Sequence, residues 1–146
     1  MSTTFTASIQ HVNHTTSRAT VRSHAFLVDR AVARGGFDLG PAGGEYLLVS
    51  LGGCFTTHLL AAIRAREAKM TDVSVSVTGT MEGSPERFVA FTLDVTASCA
   101  DQELAHKLMT IAERGCQVLN TLRLITSIAV TYQGEAIAPS VAAAAV

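Results

Sequence analysis

Tryptophan is absent, aromatic side chains are limited to six Phe and two Tyr, and charge is sparse, with 11 basic and 12 acidic residues among 146. Basic residues occur as scattered singles, so neither nucleic acid nor an anionic membrane surface is expected as a partner. Met1 to Gln10 has no basic start and no apolar stretch, so no secretory leader is expected. Cysteine is scarce too: Cys54, Cys99 and Cys116 are the whole set. An odd count without a leader argues against a structural disulfide framework and for a reducing, cytoplasmic setting. Any disulfide formed there is expected to be transient and functional.

Apolar residues make up 48% of the chain. That is enough for one α+β domain over residues 1–146, with an apolar excess that favours an oligomer. Leu47 to Ile63 carries no Asp, Glu, Lys or Arg, yet includes Ser50, Gly52, Gly53, Thr56, Thr57 and His58. This mixture predicts a central buried helix rather than a membrane span.

Alternation of Phe5, Ala7 and Ile9 predicts a strand within residues 3–12, followed by two short strands within 17–28. Residues 34–44 hold five Gly and one Pro and form a loop. A helix follows from about Gly44 to Ala68. Val73, Val75 and Val77 alternate with Ser74, Ser76 and Thr78, and Val89, Phe91, Leu93 and Val95 repeat the pattern over 87–98. With Gly83 and Pro85 between them, these two segments read as a hairpin. A helix capped by Ser98 or Asp101 then runs to Gly115, Cys116 opens a second short helix through Leu122, and Ser127 to Gln133 forms a last strand. Pro139 to Val146 is expected to fray.

Free cysteine often packs as a small hydrophobe, which is one reading of Cys54 and Cys116. Two features favour reactivity. Gly52-Gly53 before Cys54 weakens a helix by about 1 kcal/mol per glycine, a cost that points to close approach of a backbone or ligand. Gly115 before Cys116 leaves that thiol near free N–H groups, which lower a thiol pKa. His58 lies four residues after Cys54 on the same helix face, so Cys54, His58 and Cys116 could also form part of a metal site. Cys99 has no motif around it.

Gly40-Pro41-Ala42-Gly43-Gly44-Glu45-Tyr46-Leu47-Leu48-Val49-Ser50-Leu51-Gly52-Gly53-Cys54 resembles, without a gap, the segment GPxPEELLLAALGGC of the OsmC/Ohr family. Gly115-Cys116-Gln117-Val118-Leu119-Asn120-Thr121-Leu122 resembles its xCPVxxTL segment. The family is named for osmotic induction and organic hydroperoxide resistance. The resemblance implies an α+β fold of antiparallel sheets around central Cys-bearing helices, in an intertwined homodimer. It implies a thiol peroxidase needing no cofactor and no metal. Cys54 would attack an organic hydroperoxide and become a sulfenic acid. Cys116 would resolve it as a disulfide, and a dithiol reductant, lipoyl-type in some members, would restore both thiols. A non-catalytic small-molecule-binding or metal-binding dimer is the alternative.

The resemblance also implies an Arg held by a Glu beside the attacking thiol, because an ordinary thiol is only a few per cent thiolate at neutral pH. Arg34 fits this role best, Arg30 second, with Glu45 as the acidic partner. The family Glu itself aligns with Gly44, and Glu45 is rotated about 100° around the helix from it. Gly43 and Gln117 stand where the family usually has Pro. His58, Phe37 and Phe55 are the expected walls of a substrate pocket.

Overall fold

The computed structural model describes residues 1–137 in two compact units, Met1–Leu47 and the chain from Leu48 onward. The tail expected to fray, 139–146, lies outside the described residues.

In the first unit, β1 (Ser8–His11), β2 (Ser17–Val21) and β3 (His24–Val28) form an antiparallel sheet in that order. β1 is shorter than the alternating stretch at 3–12. It pairs only from Ser8 opposite Thr20 to His11 opposite Ser17, because β2 offers five residues. Its apolar side is uncovered: Phe5 and Ile9 are exposed, and of this sheet's apolar residues only Ala19 is buried. Asp29 follows β3 and is 2% exposed. Its carboxylate accepts hydrogen bonds from the Thr16 hydroxyl and from the backbone N–H groups of Arg30, Phe37 and Leu39. Burial would raise its pKa. The Thr15 hydroxyl beside it, the two backbone donors Leu39 and Arg30, and Thr16 outweigh that and hold it at about 2. One buried carboxylate thus folds the glycine-rich loop back on β3.

The long helix α1 (Gly43–Ala65) opens in this unit. Glu45, its third residue, accepts from the N–H of Ala42 at 2.7 Å, the carboxylate half of a capping box. Tyr46 donates its hydroxyl to the Leu27 carbonyl and tilts against Phe26, which ties the first turn to β3.

In the second unit, β4 (Thr71–Glu82), β5 (Arg87–Ser98), β6 (Ser127–Tyr132) and β7 (Glu135–Ala136) form a sheet in that order. The expected hairpin is β4–β5. One pairing departs from an all-antiparallel sheet. β5 and β6 run parallel, because α2 (Gln102–Gly115) and α3 (Gln117–Leu122) carry the chain back as a crossover between them. Asp101, not Ser98, caps α2, its carboxylate accepting from Leu104 N–H at 2.9 Å.

The core joins Leu51, Phe55 and Leu59 of α1, Phe91, Leu93 and Val95 of β5, Leu108 and Met109 of α2, and Leu119 of α3, all buried. Each such side chain contributes roughly 1.5–3 kcal/mol by leaving water. Helix and sheet meet at two glycines. A Cβ on Gly52 would stand 2.7 Å from Val77 Cγ2, and one on Gly79 would stand 2.9 Å from Leu48 Cδ2. Gly53, by contrast, faces open space. The polar residues of α1 satisfy themselves: Thr56 and Thr57 donate to the carbonyls of Gly52 and Gly53. By length and composition α1 could cross a membrane, yet it carries Val49 and Leu60 exposed on one side and core residues on the other.

Candidate active site

The middle of α1 and the corner between α2 and α3 bring four of the residues singled out above together. Cys54 is half-buried on α1; Cys116 is the N-cap of α3 and is fully buried. The corner is braced on both sides. Asn120 Nδ2 donates to the Arg114 carbonyl at 3.0 Å, and Arg123 pairs with the buried Glu113 at 3.5 Å. Cys116 Sγ accepts from Leu119 N–H at 3.4 Å, so the sulfur is held by the start of its own helix.

The environments of the two thiols differ. Burial pushes the Cys116 pKa up to about 11. The N–H groups of Leu119 and Val118 pull it down, and the neighbouring Cys54 pushes it further up. Free N–H groups therefore act as the helix start predicts, but desolvation wins, and Cys116 is a neutral thiol at physiological pH. Both cysteines are free thiols.

Gln117 joins the two elements. Its Oε1 accepts from the Cys54 thiol at 3.4 Å and lies 3.1 Å from His58 Nε2. On its other side the His58 ring rests on Gly115: a Cβ there would stand 2.7 Å from Nδ1. Cys54, His58 and Gln117 thus form one polar cluster beside Cys116. Among the described residues, no group of three His, Cys, Asp or Glu side chains has the arrangement of a metal site.

The remaining predicted residues stand elsewhere. Phe55 is fully buried in the core, because it lies one position beyond Cys54 and is turned about 100° around the helix from it, inward. Phe37 is exposed on the first unit's loop. Glu45 caps α1, and among the described residues neither Arg34 nor Arg30 makes an ion pair with it. Arg34 ends a 3-10 turn, Val32–Arg34, closed by Gly35 in the left-handed region. Cys99 sits just past β5 and donates to the Asp101 carbonyl. Gln117 was visible in the sequence only as a departure from proline; Asp29 showed no signal beyond its place before a glycine-rich loop.

Three solved structures share the fold. A structure of a protein from Psychrobacter arcticus, described as an osmotic stress induced and detoxification response protein, matches at 17% identity with a TM-score of 0.79, covering 91% of this chain and 98% of that one. An organic hydroperoxide resistance protein from Legionella pneumophila matches at 16% identity and TM-score 0.70, covering 89% and 96%. The organic hydroperoxide resistance protein OhrB of Bacillus subtilis matches at 18% identity and TM-score 0.65, covering 88% and 98%. No curated protein matches the sequence. The family match, to OsmC-like protein, spans residues 36–131, which takes in the loop, the three helices, the β4–β5 hairpin and both ends of the two-thiol cluster. With two sheets, three helices and a pair of thiols carried on α1 and at the start of α3, this chain belongs to the OsmC-like protein family.

Proposed function

We propose that this chain is a thiol peroxidase that reduces organic hydroperoxides through Cys54 and Cys116. One observation carries the reading: a partly exposed thiol stands beside a fully buried one whose pKa is raised. A buried neutral thiol cannot meet a peroxide first, so Cys54 is the attacking sulfur and Cys116 the resolving one. Attack forms the Cys54 S–O bond, breaks the peroxide O–O bond and releases an alcohol. Cys116 then displaces the hydroxyl of the sulfenic acid as water, forming the disulfide. A dithiol, of lipoyl or similar type, reduces it.

The family resemblance adds Arg34 as the cation that orients peroxide oxygens; an Arg34→Met variant that keeps the full rate removes it from the scheme. A homodimer is part of the proposal. Exposed Phe5 just before β1, Ile9 on β1, and Val49 and Leu60 on α1 are apolar side chains that a second copy would cover. Sedimentation of a monomer at micromolar concentration would count against it. A second reading, a non-catalytic small-molecule-binding dimer, draws on Gly44 lacking the family Glu and on Glu45 being committed to Ala42. Peroxide consumption separates the two. The parent protein and Cys116→Ser should each consume one equivalent of cumene hydroperoxide without reductant, and Cys54→Ser none. Consumption by Cys54→Ser equal to the parent's rules out the assignment.

A further inference from the structure

The attacking thiol needs a group that takes its proton and stabilises its charge, and among the described residues of the second unit His58 shares its hydrogen-bond cluster. We propose that His58 is the proton acceptor and charge partner of Cys54, and that Gln117 is the positioning residue that holds both. The proposal rests on the reading of Cys54 as the attacking thiol.

The geometry is specific. An amide oxygen can only accept, so Gln117 Oε1 takes one hydrogen bond from the Cys54 S–H and one from His58 Nε2–H. That assigns the proton of the neutral ring to Nε2 and leaves Nδ1 as the free base. Nδ1 lies over Gly115, the one place on this corner where a missing side chain leaves it room. Cys54 and His58 are also i and i+4 on α1, neighbouring positions on one face of the helix. Of the titratable groups around the ring, Cys54 on α1 shares its acceptor, and Cys116 follows Gly115, on which the ring rests.

The steps balance. The Cys54 S–H bond breaks, its proton passes to the imidazole and the sulfur keeps the electron pair. That pair attacks the terminal oxygen of ROOH; S–O forms, O–O breaks, and alkoxide leaves with the O–O pair. The imidazolium returns the proton, giving ROH and neutral His58. Sulfur is oxidised to sulfenic acid and the peroxide is reduced to alcohol. The imidazolium thus offers, from the same helix as the thiol, the positive charge that the resemblance seeks in an Arg–Glu pair.

Two rates test this on the full chain: alkylation of Cys54 by iodoacetamide, and single-turnover oxidation of Cys54 by cumene hydroperoxide, each from pH 5.5 to about 9. His58→Gln should slow oxidation at pH 7 about 100-fold, the lower end of what a positioned acid–base group contributes. Its rate should then climb steadily with pH, while the parent profile is flatter. Gln117→Met, nearly isosteric but without the amide, should change both profiles in the same direction by a smaller factor, a shift that a purely packing role does not produce. Circular dichroism shows whether each variant is folded. Parent-like rates and pH profiles in both folded variants overturn the proposal. Alkylation involves no peroxide chemistry: if the parent fails to consume peroxide, the peroxidase reading falls, while a His58-dependent alkylation profile still upholds the pairing.

Discussion

Gly115→Ala tests the cluster through a single methyl group. The added Cβ would land 2.7 Å from His58 Nδ1, 3.1 Å from Cγ and 3.3 Å from Cε1. Ordinary contacts between such atoms lie near 3.5–4.0 Å, so the ring must move by roughly 1 Å. His58 Nε2 now sits 3.1 Å from Gln117 Oε1, and a shift of that size away from Gly115 or a tilt of the ring spoils the bond's distance or angle. Two effects on stability oppose each other. Alanine is favoured over glycine in a helix by up to about 1 kcal/mol, less at a last residue. Overpacking costs roughly 1–3 kcal/mol. The net loss should be about 0–3 kcal/mol, a fall of several degrees in Tm at most. Reactivity should suffer more, because a misplacement of about 1 Å can cost up to 100-fold in rate. Thermal melts and single-turnover peroxide oxidation of the same sample give both quantities. A variant more stable by the full helix-propensity gain, with parental reactivity, would show that the ring is not held against position 115 and would refute the reasoning.

Cys116 predicts a stability change at high pH. Its folded pKa, about 11, lies above its ordinary value of 9.0. Between those values the unfolded thiol is ionised and the folded one is not, so folding takes up a proton and stability falls as pH rises. The contribution is fully present below pH 9 and amounts to about 2–3 kcal/mol lost by pH 11. Denaturant unfolding of the parent should therefore weaken more steeply over this window than that of Cys116→Val; parallel curves would contradict it. Gly52→Ala puts a methyl 2.7 Å from Val77 Cγ2 and should destabilise by roughly 1–3 kcal/mol, read as a lower denaturation midpoint. An unchanged midpoint would mean that α1 can move off β4 freely.

Local chemistry was largely legible in the sequence. The bounds of β5 follow from strict alternation between a turn and a polar end, and residues 87–98 form that strand. Asp101 and Cys116 were each readable as helix starts, and both serve as N-caps. What the sequence concealed depends on partners far away in the chain. Nothing in Ser127–Tyr132 announces that it pairs parallel to β5, since a parallel strand depends on the path of the crossover before it. β7 is two residues long, too short for any periodicity to register. Phe55 and His58 were both expected at the pocket; the helix turns Phe55 into the core and His58 onto the α2–α3 corner. The resemblance offered Glu45 as the acidic partner of an Arg, and the 2.7 Å contact with Ala42 N–H shows that it caps α1. Gln117 mattered least in the sequence and most in the site. An amide reveals its partners only when two helices place a thiol and an imidazole against the same oxygen.

The account depends on Cys54 and Cys116 trading electrons with each other. Adding one equivalent of cumene hydroperoxide to the reduced protein, then digesting under acid and weighing the peptides without reductant, reads this directly. The predicted product is a Cys54–Cys116 cross-linked pair two hydrogens lighter than the free peptides, with Cys99 still a thiol. A stable Cys54 sulfinic acid without a bridge, or a bridge through Cys99, would contradict it.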